Sequence, residues 1–406
     1  MIGRLQARRF LLKKQGLLGA TRFRGEEGLL AYVRQAGCVQ YDPVDVCGKS
    51  HELSLLARVE GFSKPMLTGL LYERRALFDY YDKNMCILPV EAWPYVEPMR
   101  RYCREHTPGR EQIAALAPEL LRHVHQRGSL SSRELDMPEK VDWYWSATSL
   151  SRAALESLYY WGELVVHHKT RTVKSYALPS DCLPGDVLGT PCPFRDTKER
   201  YDWQVARRVG AVGLLWNAPS DAWLGMNWYN PFHAEDREAT FARLEKNGTL
   251  TAVQVEGVPK PLFLRTEDLE LLELSAAKPG GRSRARFLGP LDCLLWDRKL
   301  ISRLFDFDYT WEIYTPEAKR KYAHYTVPVL YGEAFAGRAE PVCDRKRGLL
   351  LMKRFWPEKG FRVTEAFRRA LTDAADGLRA CQGLDGVAWG LSEREQMGDD
   401  LVVPAP

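Results

Sequence analysis

The chain has 406 residues, 45% of them hydrophobic and 27% charged, with 12 Trp, a balance that excludes a disordered polymer and predicts about two to four packed domains. Nine scattered cysteines, never in a C-x-x-C pair, argue against a zinc ribbon or a disulfide framework and favour a reducing compartment. Net charge is a modest +5, yet residues 1–34 hold eight Arg and Lys against two Glu, an excess of +6. Such a segment suits a phosphate-facing surface, although solubility alone would also explain it. Charges interrupt the first residues too often for a signal peptide, and no later apolar run is long enough to cross a bilayer, so a cytoplasmic location is expected.

In chain order, a basic amphipathic region leads into Cys38-Val39-Gln40-Tyr41-Asp42-Pro43-Val44-Asp45-Val46, followed by Lys49, Ser50, His51 and Arg58. Residues 113–135 read as a helix, a turn at Arg127-Gly128-Ser129-Leu130, and a short second helix starting near Ser131 or Ser132. A third helix is expected over 148–161. A strand then begins at Gly162, turns through His168-Lys169-Thr170-Arg171 and returns over 173–178. Helix, helix, recognition helix and β-hairpin is the order of a winged helix-turn-helix.

The pattern recurs downstream. A helix over 203–215, a break at Asn217-Ala218-Pro219-Ser220-Asp221 and a helix over 236–246 precede a hairpin from Gly248 to Leu264, with Pro261 near its edge. A linker at 278–284 is followed by strands over 286–288, 325–331, 333–339 and 348–355, with a turn at Gly332-Glu333. A long helix closes this β-rich part over 363–381, and little fixed structure is expected from about Gln396 to Pro406.

The segment around Gln40 carries the chemistry. In an extended backbone residues i and i+2 point to one side, so Gln40 and Asp42 would face one target with Tyr41 turned inward. Pro43 restricts Asp42 to extended conformations. With Lys49, His51 and Arg58 nearby, the pair has the makings of a water-holding site beside an anionic polymer. The same residues also suit a bland role, with Gln40 capping a turn and Asp42 serving as an N-cap or Asx-turn residue.

This stretch resembles the Gln-x-Asp motif of the bacterial winged-helix DNA glycosylases that unhook interstrand crosslinks, the AlkZ/AlkX (YcaQ-like) family. The likeness covers nearly the whole chain. It continues through Tyr80-Tyr81-Asp82-Lys83-Asn84-Met85, and through Phe287-Leu288-Gly289-Pro290-Leu291-Asp292 with Trp296-Asp297-Arg298. It returns at Glu312-Ile313-Tyr314 with Lys319-Arg320. The resemblance implies an α+β chain of tandem winged helix-turn-helix domains and a C-terminal β-rich, barrel-like domain. Its expected divisions are 1–110 with the Gln-x-Asp motif, 111–195, 196–277 and 285–390, and the winged helix in 1–110 rests mainly on the likeness.

Loss of a base builds positive charge on the sugar, and a carboxylate steadies that charge and activates water. The expected catalytic residues are Asp42 for both tasks and Gln40 to hold the water, with Lys49 and His51 lowering the Asp42 pKa. Asp45 is expected to be mainly structural. The expected partner is double-stranded, damaged DNA, bound by a monomer associated with the nucleoid. No cofactor or metal is expected. DNA contacts are expected from Lys49, Ser50, His51, Arg58, Lys83, Asn84, His168, Lys169, Arg171, Lys174, Arg298 and Arg320.

Relatives often carry His at the position of Lys83 and Arg at that of Lys49. These departures leave open substrate range and a Schiff-base lyase route through Lys83. The hairpin with His168, Lys169, Arg171 and Lys174 suits a wing on a DNA backbone or a solvated tip. Asp292, Trp296, Asp297, Arg298, Glu312, Tyr314 and Arg320 suit a buried polar network more than a DNA-facing surface. His123-x-His125 lacks a third ligand. The rival reading is a DNA-binding protein without catalysis, such as a transcriptional regulator, for which Gln40 and Asp42 have no special task.

Overall fold

The computed structural model describes residues 1–390 except Trp145 and Asn230, so the expectation for the tail from Gln396 lies outside the described residues. The chain forms two compact units, one of residues 1–64, 201–224 and 233 onward, the other of 65–200 and 225–232. The fold is mixed α and β.

In the first unit the helix Gly25–Ala36 buries Leu29, Tyr32, Val33 and Ala36 at helical spacing. It ends at Gly37, whose φ of +69° a side chain adopts poorly. A Cβ there would also lie 2.3 Å from Nε of Arg207, whose guanidinium donates to the Gly37 carbonyl. The stop at Gly37 sets up the short strand Val39–Gln40, and the mostly buried helix Ser50–Leu56 follows.

The C-terminal part is a five-stranded sheet in the order Ala285–Phe287, Val327–Tyr331, Ala334–Asp344, Leu349–Pro357, Gly386–Trp389. The first three junctions are antiparallel, and Gly386–Trp389, which sequence patterning missed, adds in parallel. Bulges fall between Val329 and Leu330 and between Ala339 and Pro341, and the latter accommodates a proline inside the long strand. The helix Glu365–Gln382 buries Phe367, Ala370, Leu371, Ala375 and Leu378. These join Val327, Val329, Leu350 and Met352 in a core that also takes in Cys47 and Leu53, with Val44 and Val46 packed on it. The residues after Asp42 are therefore part of the C-terminal core, and the Cys343 amide donates to the Val46 carbonyl at 2.8 Å.

Also in this unit, strand Leu215–Trp216 pairs with Leu262–Arg265, which pairs with Leu250–Val253. The helix Ala234–Lys246 lies between the first strand and the hairpin in sequence. The second unit repeats that order: Leu130–Ser131 pairs with Val173–Ala177, which pairs with Val165–Thr170, after the helix Leu150–Trp161. The helix expected over 203–215 is Thr197–Val212, with Leu215 already in the strand; in the second unit two details differ from the sequence reading. The expected second helix near Ser131 is one 3₁₀ turn, Ser132–Glu134, after which Leu135 is already extended. The hairpin starts at Val165 because Gly162, at φ +79°, caps the preceding helix.

Candidate active site

Gln40 closes its short strand, and the next five residues belong to no helix or strand. The period-two alternation expected for Gln40, Tyr41 and Asp42 is therefore not fixed by strand pairing. Gln40 is buried, with 6% of its surface exposed, and its Oε1 has no hydrogen-bond partner. A buried acceptor left open is unfavourable by about 1–3 kcal/mol, which marks this oxygen as a position for a water or a ligand donor. Tyr41 is half-buried rather than turned inward. It stacks on His51 with ring centres 4.8 Å apart, and the Lys49 ammonium sits 5.6 Å from its centre.

Asp42 is half-buried. Its Oδ1 accepts the Val44 amide at 2.8 Å, so the Asx-turn of the bland reading is present, and Oδ2 has no part in that bond. Burial lifts its carboxyl above the ordinary value of 3.8, opposed by the Val44 hydrogen bond. The expected lowering by Lys49 and His51 is thus corrected: desolvation prevails, and those two groups are engaged with the Tyr41 ring. Asp45 pairs with Arg345 at 2.9 Å and ties the segment to the C-terminal sheet.

Two expected DNA contacts in this segment are structural instead. The buried Ser50 hydroxyl accepts the Leu291 amide at 3.0 Å, and a Cβ on Gly289 would lie 2.4 Å from the Ser50 carbonyl. Arg58 and Asp292 have fully buried side chains joined at 2.6 Å. Burial opposes the Arg58 charge, but Asp292, with Tyr32 and Cys293, outweighs it and the pKa is raised. Gln15 Oε1 also accepts from Arg58, at 2.5 Å, and Tyr32 lies under the guanidinium. His51 is likewise buried and presents no open face to a phosphate. Sequence reasoning missed Gln15, Tyr32 and Cys293 in this network, since nothing local marks partners so distant along the chain.

Elsewhere in this unit Arg298 opens the helix Arg298–Phe305, with its guanidinium 5.5 Å from the Tyr309 ring centre. It lines an open cleft of about 820 Å³ with Arg4, Lys299 and Arg303. Asp297 caps the same helix through Leu300 and accepts from Trp216 at 2.7 Å. Arg320 is half-exposed, and its Nε donates to the Thr315 carbonyl at 2.9 Å.

In the second unit Lys83 lies in the turn of the hairpin Leu77–Tyr81 and Met85–Pro89. It is only 4% exposed, which is poor access for a Schiff-base nucleophile. The exposed Asn84 takes φ +112° beside it. Gly225 packs so closely that a Cβ would meet the Asp82 carbonyl at 1.9 Å. In the His-rich hairpin, Lys169 pairs with the buried Asp79 at 2.5 Å, a bond that Tyr72 flanks. Lys174 lies 5.1 Å from the Tyr159 ring centre, and burial lowers its pKa. His168 meets His167 through their Nδ1 atoms at 2.8 Å. Of the three fixed cations expected on DNA, Arg171 alone stands exposed, at the hairpin tip with φ +57°.

Among the described residues no group of three His, Cys, Asp or Glu side chains is placed to hold a metal ion. No helix among them is long and apolar enough to cross a membrane.

Gln40 Oε1 is buried and open, and two residues on the Asp42 carboxyl is half-buried. The family model described as "DNA glycosylase AlkZ-like" matches residues 33–381. The chain therefore belongs to the AlkZ-like DNA glycosylase family. Its fold is similar to that of the Streptomyces sahachiroi DNA glycosylase AlkZ, with a TM-score of 0.62 at 18% identity over 96% of this chain and 100% of that one. Membership makes DNA the substrate and removal of a base the class of reaction.

Proposed function

We propose that this protein is a monofunctional DNA repair glycosylase that hydrolyses the N-glycosidic bond of alkylated purines in duplex DNA, as N7-alkylguanine monoadducts or as interstrand crosslinks. The observation that carries this reading is the buried, open Gln40 Oε1 two residues before the half-buried Asp42 carboxylate. Gln40 accepts a hydrogen from a water molecule and aims it. Asp42 faces the positive charge that grows on the sugar and takes the water proton as oxygen bonds to C1′. The electrons of the broken C1′–N9 bond pass to the base. A purine alkylated at N7 is cationic, so it leaves neutral and needs no protein acid. Burial of Asp42 strengthens its interaction with a sugar cation, because charges attract more in a low-dielectric site.

We read the two helix–strand–helix–hairpin arrangements, with sheets of identical order, as winged helices, and the N-terminal part as a third of the same kind. A monomer presenting Arg171 and Arg298 to phosphates fits a duplex approached without a dimer. The regulator reading leaves the open Gln40 oxygen without a task. The lyase route suits neither the burial of Lys83 nor a site with one central carboxylate.

Product analysis tests the chemistry. A duplex with one N7-methylguanine should yield free base and an unbroken abasic strand, with no borohydride-trapped adduct. A trapped adduct lost in Lys83→Met would replace hydrolysis with lyase chemistry.

A further inference from the structure

Tyr314 is the most exposed aromatic side chain among the described residues, at 81%, and it stands on a loop that is held firmly. It ends the 3₁₀ turn Glu312–Tyr314. The buried Glu312 carboxylate accepts the Lys321 amide at 2.5 Å and the Tyr322 amide at 3.0 Å, closing the loop across its base. Thr315 donates back to the Glu312 carbonyl at 2.9 Å. A second turn, Glu317–Lys319, and the bond from Arg320 to Thr315 brace the far side. Under Tyr314 lies Trp311, edge-on at 5.8 Å and 72°, and Trp311 meets Tyr325 at 6.3 Å.

The loop's place matters as much as its stiffness. Trp311, Ile313, Val44 and Val46 pack on one shared core, and Tyr325, which Trp311 meets, lies within reach of the Asp42 charge. Lys319, Arg320 and Lys321 lie within seven residues of Tyr314, against two exposed carboxylates, Asp308 and Glu317. A rigid, exposed aromatic ring flanked by cations fits a nucleobase between two phosphates: every base has a face to stack on, and the cations hold the backbone on either side.

We propose that Tyr314 is a stacking residue that lays its ring on a base of the bound duplex next to the lesion, with Lys319 and Lys321 holding the adjoining phosphates. The inference rests on the reading that DNA is worked on at Asp42. Stacking there holds the duplex open enough for water to reach C1′ without extrusion of a tethered base.

The test uses the full chain and a duplex carrying a tetrahydrofuran abasic analogue with 2-aminopurine as its neighbour, so that no excision is needed. Wild type should change the 2-aminopurine fluorescence, and Tyr314→Phe should reproduce that change. Tyr314→Ala should remove it and weaken binding by about 5- to 150-fold, with an unchanged melting temperature. Equal affinity and equal fluorescence change for wild type and Tyr314→Ala would overturn the inference, whatever the excision assays show. Failure of the Asp42 mechanism would appear separately, as base release unaffected by Asp42→Asn with the Tyr314 signal intact.

Discussion

Arg58 and Asp292, 234 residues apart in the chain, meet through two hydrogen bonds of 2.6 Å inside the protein. The bond fastens the end of the helix after the Gln40–Asp42 segment to the Gly289–Asp292 loop, and Ser50 secures the same loop at its other end. Removing one partner of a buried pair leaves an uncompensated charge and is unfavourable by about 3–5 kcal/mol. Asp292→Asn should therefore lower the melting temperature sharply, and base release should fail with the fold rather than at constant stability. Calorimetry beside activity checks this. A fully stable Asp292→Asn protein would remove the pair from its bracing role.

Asp42 should behave in the opposite way. Its folded pKa lies above the ordinary 3.8, chiefly through burial, so the folded state binds this proton more tightly than the unfolded chain does. Stability from this group is complete below the unfolded value and is lost as pH rises through the folded pKa. At neutral pH the ionised side chain is then a net burden on the fold. Asp42→Asn, which keeps an oxygen for the Val44 amide, should melt higher than wild type at pH 7, with the gap closing as pH falls toward 3.8. Base release by wild type should decline on the acid side at a pH above that ordinary carboxylate value. Melting curves and single-turnover rates from pH 4 to 8 read both effects.

Gln40 separates function from folding. Its open Oε1 gives the fold nothing in return for burial, so Gln40→Leu should hold or raise the melting temperature. Base release should fall roughly 100-fold, the scale of losing one positioned group near a reacting centre. A large drop in stability would mean that the side chain is structural after all.

On the His-rich hairpin, two cations side by side in sequence should part company. Lys169 is tied to Asp79, and Lys169→Met should lower stability. Arg171, exposed at the tip, should leave stability alone on change to Ala but reduce the salt dependence of DNA binding by about one unit of slope. Binding isotherms across a salt series, beside melting curves, distinguish the two.

Sequence patterning went far with local features and stopped at long-range ones. The C-terminal strands and the helix Glu365–Gln382 were legible because apolar residues recur at strand and helix periods and Gly332 marks the turn. Gly386–Trp389 was not, since a four-residue parallel edge strand has no turn to announce it. Gln40 and Asp42 stand out as a pair in the sequence, but their equal orientation was inferred from a strand that ends at Gln40. Ser50, His51, Arg58 and Lys169 looked like phosphate contacts because a cationic or polar side chain does not reveal its partner. Asp292, Leu291 and Asp79, the partners of three of them, lie far away in the chain.

The most direct measurement is single-turnover release of N7-methylguanine from one duplex by wild type and by Asp42→Asn, both verified as folded. The account predicts abasic sites, read by alkaline cleavage, with wild type and none above background with the variant. Equal release by both proteins would contradict a catalytic role for Asp42.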